Sequence, residues 1–154
     1  MKARIAYTQV APEALRAMLN LERYGHESGL EHSLMLLMKM RASQINGCAY
    51  CIDMHSKDAR AAGESEQRLY ALSAWHEAPF FTDRERAALA WTETLTLISE
   101  TDVPDELYAE VRTHFSEKEL VALTMVVVAI NGWNRLAISF RAPVGDYQPA
   151  GAAV

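Results

Sequence analysis

The sequence predicts an all-α chain. Prolines fall only at 12, 79, 104, 143 and 149, the glycines are similarly sparse, and the long intervals between them are rich in Ala, Leu, Met, Glu and Arg, residues of high helix propensity. Apolar positions recur at helical rather than alternating spacing, and two Ser/Thr-x-x-Glu signatures mark helix starts. With 154 residues, half of them hydrophobic, the chain suits one domain with a core that needs no staple.

The elements follow in order. A first helix runs from about Pro12, tolerated in a first turn, to Ser28, with Gly29 as its stop. A second covers about 31–45 and is broken by Asn46-Gly47. A third starts near Cys48 and ends before Gly63, and a short fourth spans about 65–76, ahead of Pro79. Thr82 and Glu85 form a capping box for a fifth, in which Ala88, Leu89, Trp91, Leu95 and Ile98 keep helical spacing. Pro104 opens a sixth that ends near His114. Ser116 and Glu119 cap the last, which runs toward Arg141, with Gly132 as the place for a kink. Val126-Val127-Val128 has strand propensity but lies inside this capped segment and is read as helix. The composition divides the chain into a helical domain over 1–142 and a tail over 143–154, loose or laid on a neighbour.

The net charge is −5, with 15 Lys and Arg dispersed among 20 acids. That gives no basic field for a phosphate backbone, so nucleic acid is not an expected partner. The N-terminus has positive charge but no apolar stretch behind it, which argues against a secretory signal and for the cytoplasm. The apolar segment 120–140 is interrupted by Asn131, Gly132, Asn134 and Arg135; no membrane span is expected. Its apolar residues cover more than one face, which calls for partners on several sides and predicts a homo-oligomer.

Chemistry concentrates in Cys48-Ala49-Tyr50-Cys51-Ile52-Asp53-Met54-His55. If Cys48 opens a helix, both sulfurs lie in its first turn, where unpaired N–H groups and the dipole favour a thiolate. Cys51 and His55, four apart, share a helix face, so the imidazole can accept the Cys51 proton or stabilise the thiolate as imidazolium. The dipole favours Cys48 and the imidazole favours Cys51, and spacing alone does not rank them. A thiolate oxidised to sulfenic acid by peroxide can condense with a second thiol one turn away, so a reversible Cys48–Cys51 disulfide is expected. The blander readings are two small core cysteines or part of a zinc site, although no second CxxC or HxxxH pair completes a ligand set. His26, His32, His76 and His114 read as solvated or capping, Tyr50 and Asp53 as structural, and Met18, Met35, Met38, Met40, Met54 and Met125 as core or subunit filling.

Ser43-Gln44-Ile45-Asn46-Gly47-Cys48-Ala49-Tyr50-Cys51 followed by His55 resembles the CxxC-xxx-H motif of the carboxymuconolactone decarboxylase superfamily, in its alkyl hydroperoxidase D (AhpD)-like branch. The segments 84–91 and 130–136 look like later helices of that branch, so the resemblance spans about 30–140. It implies an AhpD-like bundle of about six to eight helices, assembled as a homotrimer or homohexamer. It also implies a cofactor-free thiol peroxidase in which Cys51 reacts with the hydroperoxide, Cys48 resolves the product and His55 belongs to a proton relay. A lipoyl-bearing or thioredoxin-like protein would serve as reductant. The branch also uses a glutamate twelve residues before the first cysteine, where this chain has Leu36. Glu31 lies about 140° away around a helix and is no substitute, so peroxide activity is expected to be weak at neutral pH and to rise toward pH ~8–9. The alternatives are a redox-sensing oligomer and the lactone decarboxylase reaction. The latter needs cations for carboxylates, for which Arg41 and Arg135 are the candidates.

Overall fold

The structure, a computed structural model, describes residues 2–149. Among them are nine α-helices and no strand: α1 (Tyr7–Val10), α2 (Pro12–Glu27), α3 (His32–Asn46), α4 (Ala49–Ala61), α5 (Glu66–Ala71), α6 (Asp83–Thr96), α7 (Ile98–Thr101), α8 (Asp105–His114) and α9 (Glu117–Phe140). The expected all-α architecture is present. The differences are local. Pro12 sits at the start of α2 as expected, but α1 precedes it. The helix expected to reach His76 tightens into a 3₁₀ turn at Leu72–Ala74, and the fifth breaks at Leu97 into α6 and α7. Pro104 stands as N-cap of α8 rather than inside it.

Both capping boxes are formed. The Thr82 N–H donates to Glu85 Oε2 at 2.8 Å while the Glu85 N–H donates to Thr82 Oγ1, and Ser116 and Glu119 repeat the exchange. Arg84 links the two caps by donating to Glu119 and to the His114 carbonyl.

Helix α3 is central, buried at nearly every position from Leu34 to Ser43, and packs on α4, α6 and α9. One face joins Leu123 and Val126 of α9 with Ala88 and Trp91 of α6; the other joins Leu72, Trp75 and Leu89. Helix α9 is long and apolar enough to cross a membrane by length and composition, yet Leu123 and Ile130 are fully buried in this core. Gly132 does not break it. A Cβ at Gly132 would lie 2.8 Å from Met18 Cε, the movable end of a flexible side chain, whereas a Cβ at Gly25 of α2 would lie 3.2 Å from Val126 Cγ2, so Gly25 sets the closer α2–α9 approach. Val121, Val128 and Ile138 of α9 remain exposed.

The tail turns back on α4. Lys57 Nζ donates to the Gly145 and Tyr147 carbonyls, the Gly145 N–H donates to Asp53, and the Tyr147 hydroxyl donates to Asp58 at 2.7 Å. Residues 143–149 are therefore held on the chain's own helix rather than loose; residues 150–154 of the expected tail lie outside the described residues.

Candidate functional site

The turn between α3 and α4 is made by Gly47, at φ 67° in the left-handed region that favours glycine, as Asn46-Gly47 led us to expect. Cys48 follows as N-cap of α4, one position before the first turn in which it was expected, and its Sγ accepts the Cys51 N–H at 3.3 Å. Cys48 and Cys51 are joined by a disulfide with Cα atoms 5.3 Å apart, the pairing their spacing predicts. Both are almost fully buried, but they face different surroundings. Cys51 opens onto a cavity of about 360 Å³, whereas Cys48 lies off its wall, packed with Ala137, Tyr50 and Ala142.

Five helices line this cavity: α1 with the adjacent Tyr7 and Thr8, and the others with residues at helical spacing, Leu15, Glu22 and His26 of α2, His32, Met35, Leu36 and Lys39 of α3, Cys51, Met54, His55 and Asp58 of α4, and Trp133 and Ala137 of α9. Cys51 and His55 meet here, as their four-residue spacing requires. His55 is buried and, among the described residues, neither ring nitrogen has a hydrogen-bond partner. Burial, reinforced by the positive charge of Lys39, pushes its pKa down to about 3, so the imidazole is neutral at physiological pH. It offers one N–H and one lone pair, and the imidazolium role considered for it is disfavoured.

The cavity also contains an ion pair that local spacing does not reveal. Lys39, 5% exposed, donates to Glu22, seventeen positions earlier on α2, and Glu22 Oε2 accepts from Trp133 Nε1 at 3.2 Å. Burial opposes ionisation of Glu22, but the Lys39 charge and the hydrogen bonds from Lys39 and Trp133 outweigh it and hold the carboxyl below the usual range. Tyr50, His26 and His32, read as structural or solvated, line the cavity as well; His26 Nε2 lies 3.4 Å from Glu22 Oε1 at the rim. The packing of α2 and α3 on α9 brings these groups together, and no motif marks them.

Other residues are occupied elsewhere. Arg41 donates to Glu93 at 2.6 Å and Arg135 to the Asn131 carbonyl and side chain, so neither supplies a cation to this cavity. Asp53 pairs with Lys57, His76 with Glu93 and His114 with Glu110. Among the described residues no three His, Cys, Asp or Glu side chains gather as a metal site. A buried amide network fixes the turn before Cys48: Asn46 Nδ2 donates to Asn131 Oδ1 at 3.0 Å and to Asn134 Oδ1 at 2.8 Å, Asn134 Nδ2 donates to Ser43 Oγ, and Ser43 Oγ donates to the Lys39 carbonyl.

The model of the carboxymuconolactone decarboxylase family matches residues 11–94, from α2 through most of α6. The chain belongs to this family, in its AhpD-like branch. It is 46% identical over 139 residues to the uncharacterized protein YdfG of Bacillus subtilis, covering 90% of this chain and 95% of that one. A solved structure from Agrobacterium tumefaciens, of a protein of unknown function suggested to be an antioxidant defence protein AhpD, superposes with a TM-score of 0.91 at 46% identity, covering 95% of this chain and all of that one. The debrominase Bmp8 shares the fold at a TM-score of 0.80 and 19% identity, over 90% of this chain and 75% of its own. The carboxymuconolactone decarboxylase fold thus carries more than one chemistry. The family match includes α2, which the motif resemblance omitted and which supplies Glu22.

Proposed function

We propose that the protein is a thiol-dependent peroxidase that reduces hydroperoxides through the Cys48/Cys51 pair. The observation that carries this reading is the asymmetry of the disulfide: Cys51 opens onto the cavity and Cys48 does not. In the cycle, the Cys51 thiolate attacks the outer peroxide oxygen, the O–O bond breaks, and the leaving alkoxide takes a proton to become the alcohol. The Cys48 thiol then attacks the Cys51 sulfenic acid, water leaves, and the disulfide forms. A protein dithiol, lipoyl-bearing or thioredoxin-like, restores both thiols and is itself oxidised. No cofactor takes part. The neutral His55 is a hydrogen-bonding partner for the thiolate or the peroxide.

Peroxide consumption with excess dithiol reductant tests the reading. The wild-type chain turns over repeatedly, Cys51→Ser falls to background, and Cys48→Ser, assayed without reductant, stops after one oxidation. A wild-type chain that consumes one equivalent and then stops is a redox switch, and full turnover by Cys51→Ser removes Cys51 from the reaction. The reading places the protein in the cytoplasm as a homotrimer or homohexamer, supported by the exposed Val121, Val128 and Ile138 of α9. Light scattering at low micromolar concentration is expected to give three or six times the chain mass.

A further inference from the structure

A thiolate at the base of a largely apolar cavity needs positive charge nearby, and the neutral His55 does not supply it. The titratable and charged groups on the cavity wall are Tyr7 from α1, Glu22 and His26 from α2, His32 and Lys39 from α3, and Tyr50, His55 and Asp58 from α4; α9 brings only Trp133 and Ala137. Among the described residues, Lys39 is the one Lys or Arg on this wall. Its ammonium has three N–H donors, of which Glu22 takes one, and it is almost completely shielded from solvent. Asp58 is engaged by the Tyr147 hydroxyl, and Glu22 is fixed between Lys39 and Trp133.

We propose that Lys39, positioned by Glu22, is the cation that favours the Cys51 thiolate and the proton donor to the oxygen that leaves when the peroxide bond breaks. The first role requires only the thiol; the second rests on the peroxidase reading. Cys51 ionises by losing its proton to solvent. Its sulfur then bonds to the outer peroxide oxygen, the O–O electron pair departs on the alkoxide, and Lys39 hands that alkoxide a proton. The free amine regains one from solvent at the rim, so the proton lost from the thiol is restored and charge balances. Glu22 is a positioning residue whose own charge opposes the thiolate, which gives the pair a signature that simple packing lacks.

The test is the pH dependence of Cys51 alkylation by iodoacetamide in a full-length Cys48→Ser chain, a reaction without peroxide. Lys39→Met is expected to raise the midpoint by roughly one pH unit or more, and Glu22→Gln, which leaves the cation unpaired, to lower it by a similar amount, the scale of a nearby unit charge at an effective dielectric near 20. The Glu22→Gln/Lys39→Met double variant, a neutral pair, returns near the parent, and Lys39→Arg holds the parent value. If Lys39→Met fails to fold, the downward shift in Glu22→Gln and the parental midpoint of the double variant still decide. Midpoints that do not move, or that move in the same direction in both single variants, overturn the proposal. For the second role, Lys39→Met with Cys48 intact should consume organic hydroperoxide at least ~10-fold more slowly at a pH where Cys51 is fully ionised, and an unchanged rate removes Lys39 as donor. Opposite midpoint shifts in a chain whose wild type consumes no peroxide would overturn the peroxidase reading and the donor role, while upholding Lys39 as the thiolate's cation.

Discussion

The cavity has two walls built on different terms. The α4 wall carries Cys51, Met54, His55 and Asp58, three, four and seven positions from the cysteine, so one helix brings sulfur and imidazole together whatever surrounds it. The facing wall carries Glu22 and Lys39 on two helices, and their meeting depends on α2 and α3 both packing on α9. That packing rests on the close approach at Gly25 and on the Trp133 hydrogen bond to Glu22. The reacting groups are thus set by local spacing, and their electrostatic setting by tertiary packing.

Substitutions on the α4 wall should affect chemistry far more than folding. We expect His55→Leu to slow peroxide turnover by roughly 10²-fold or more, while stability holds or rises by about 1 kcal/mol, because two buried ring nitrogens without partners are removed. Loss of turnover together with a large fall in Tm would instead make His55 a structural residue. The packing side should show the reverse. Asn134 is fully buried and bonded to Asn46 and Ser43, so Asn134→Ala is expected to cost about 2–3 kcal/mol in denaturant unfolding.

The motif Cys48, Cys51 and His55 was legible because each residue is within a turn or two of the next, and the helix starts were legible because caps are local: Thr82 with Glu85, Ser116 with Glu119. The left-handed Gly47 was legible from Asn46-Gly47. Local signals do not extend to Glu22 and Lys39, since an acid and a lysine on separate helices look like two solvated charges until packing joins them. Leu36 directed attention to a missing carboxylate, yet the same cavity receives Glu22 from α2. Tyr50, His26 and His32 were read as structural or solvated for the same reason.

Acid should destabilise the fold through His55 on the α4 wall and through the α9 cap. Burial lowers the His55 pKa to about 3, so between there and the ordinary value near 6.5 the unfolded chain binds the extra proton; stability should rise with pH across this window, and His55→Leu should flatten the slope. Glu119 has the opposite charge type and the same outcome: hydrogen bonds from Ser116 and Arg84 lower its pKa to about 2, so its contribution is complete above the unfolded carboxyl value and lost as pH falls from about 4.5 toward 2. Thermal unfolding of wild type, His55→Leu and Glu119→Gln from pH 2 to 8 checks both. The smallest effect is expected at Gly132→Ala: the added methyl meets only the flexible end of Met18, so the cost should stay under ~1 kcal/mol, with the Cys51 alkylation midpoint unchanged. A displaced midpoint would show that the facing wall responds to small changes in the α2–α9 approach.

The central claim is that Cys51, and not Cys48, meets the substrate. One equivalent of an organic hydroperoxide added to reduced Cys48→Ser and Cys51→Ser chains, with a sulfenic-acid trapping reagent and peptide mass spectrometry, reads this directly. A trapped adduct is expected on Cys51 in the first chain and none on Cys48 in the second. An adduct on Cys48 with Cys51 left unmodified would contradict the claim.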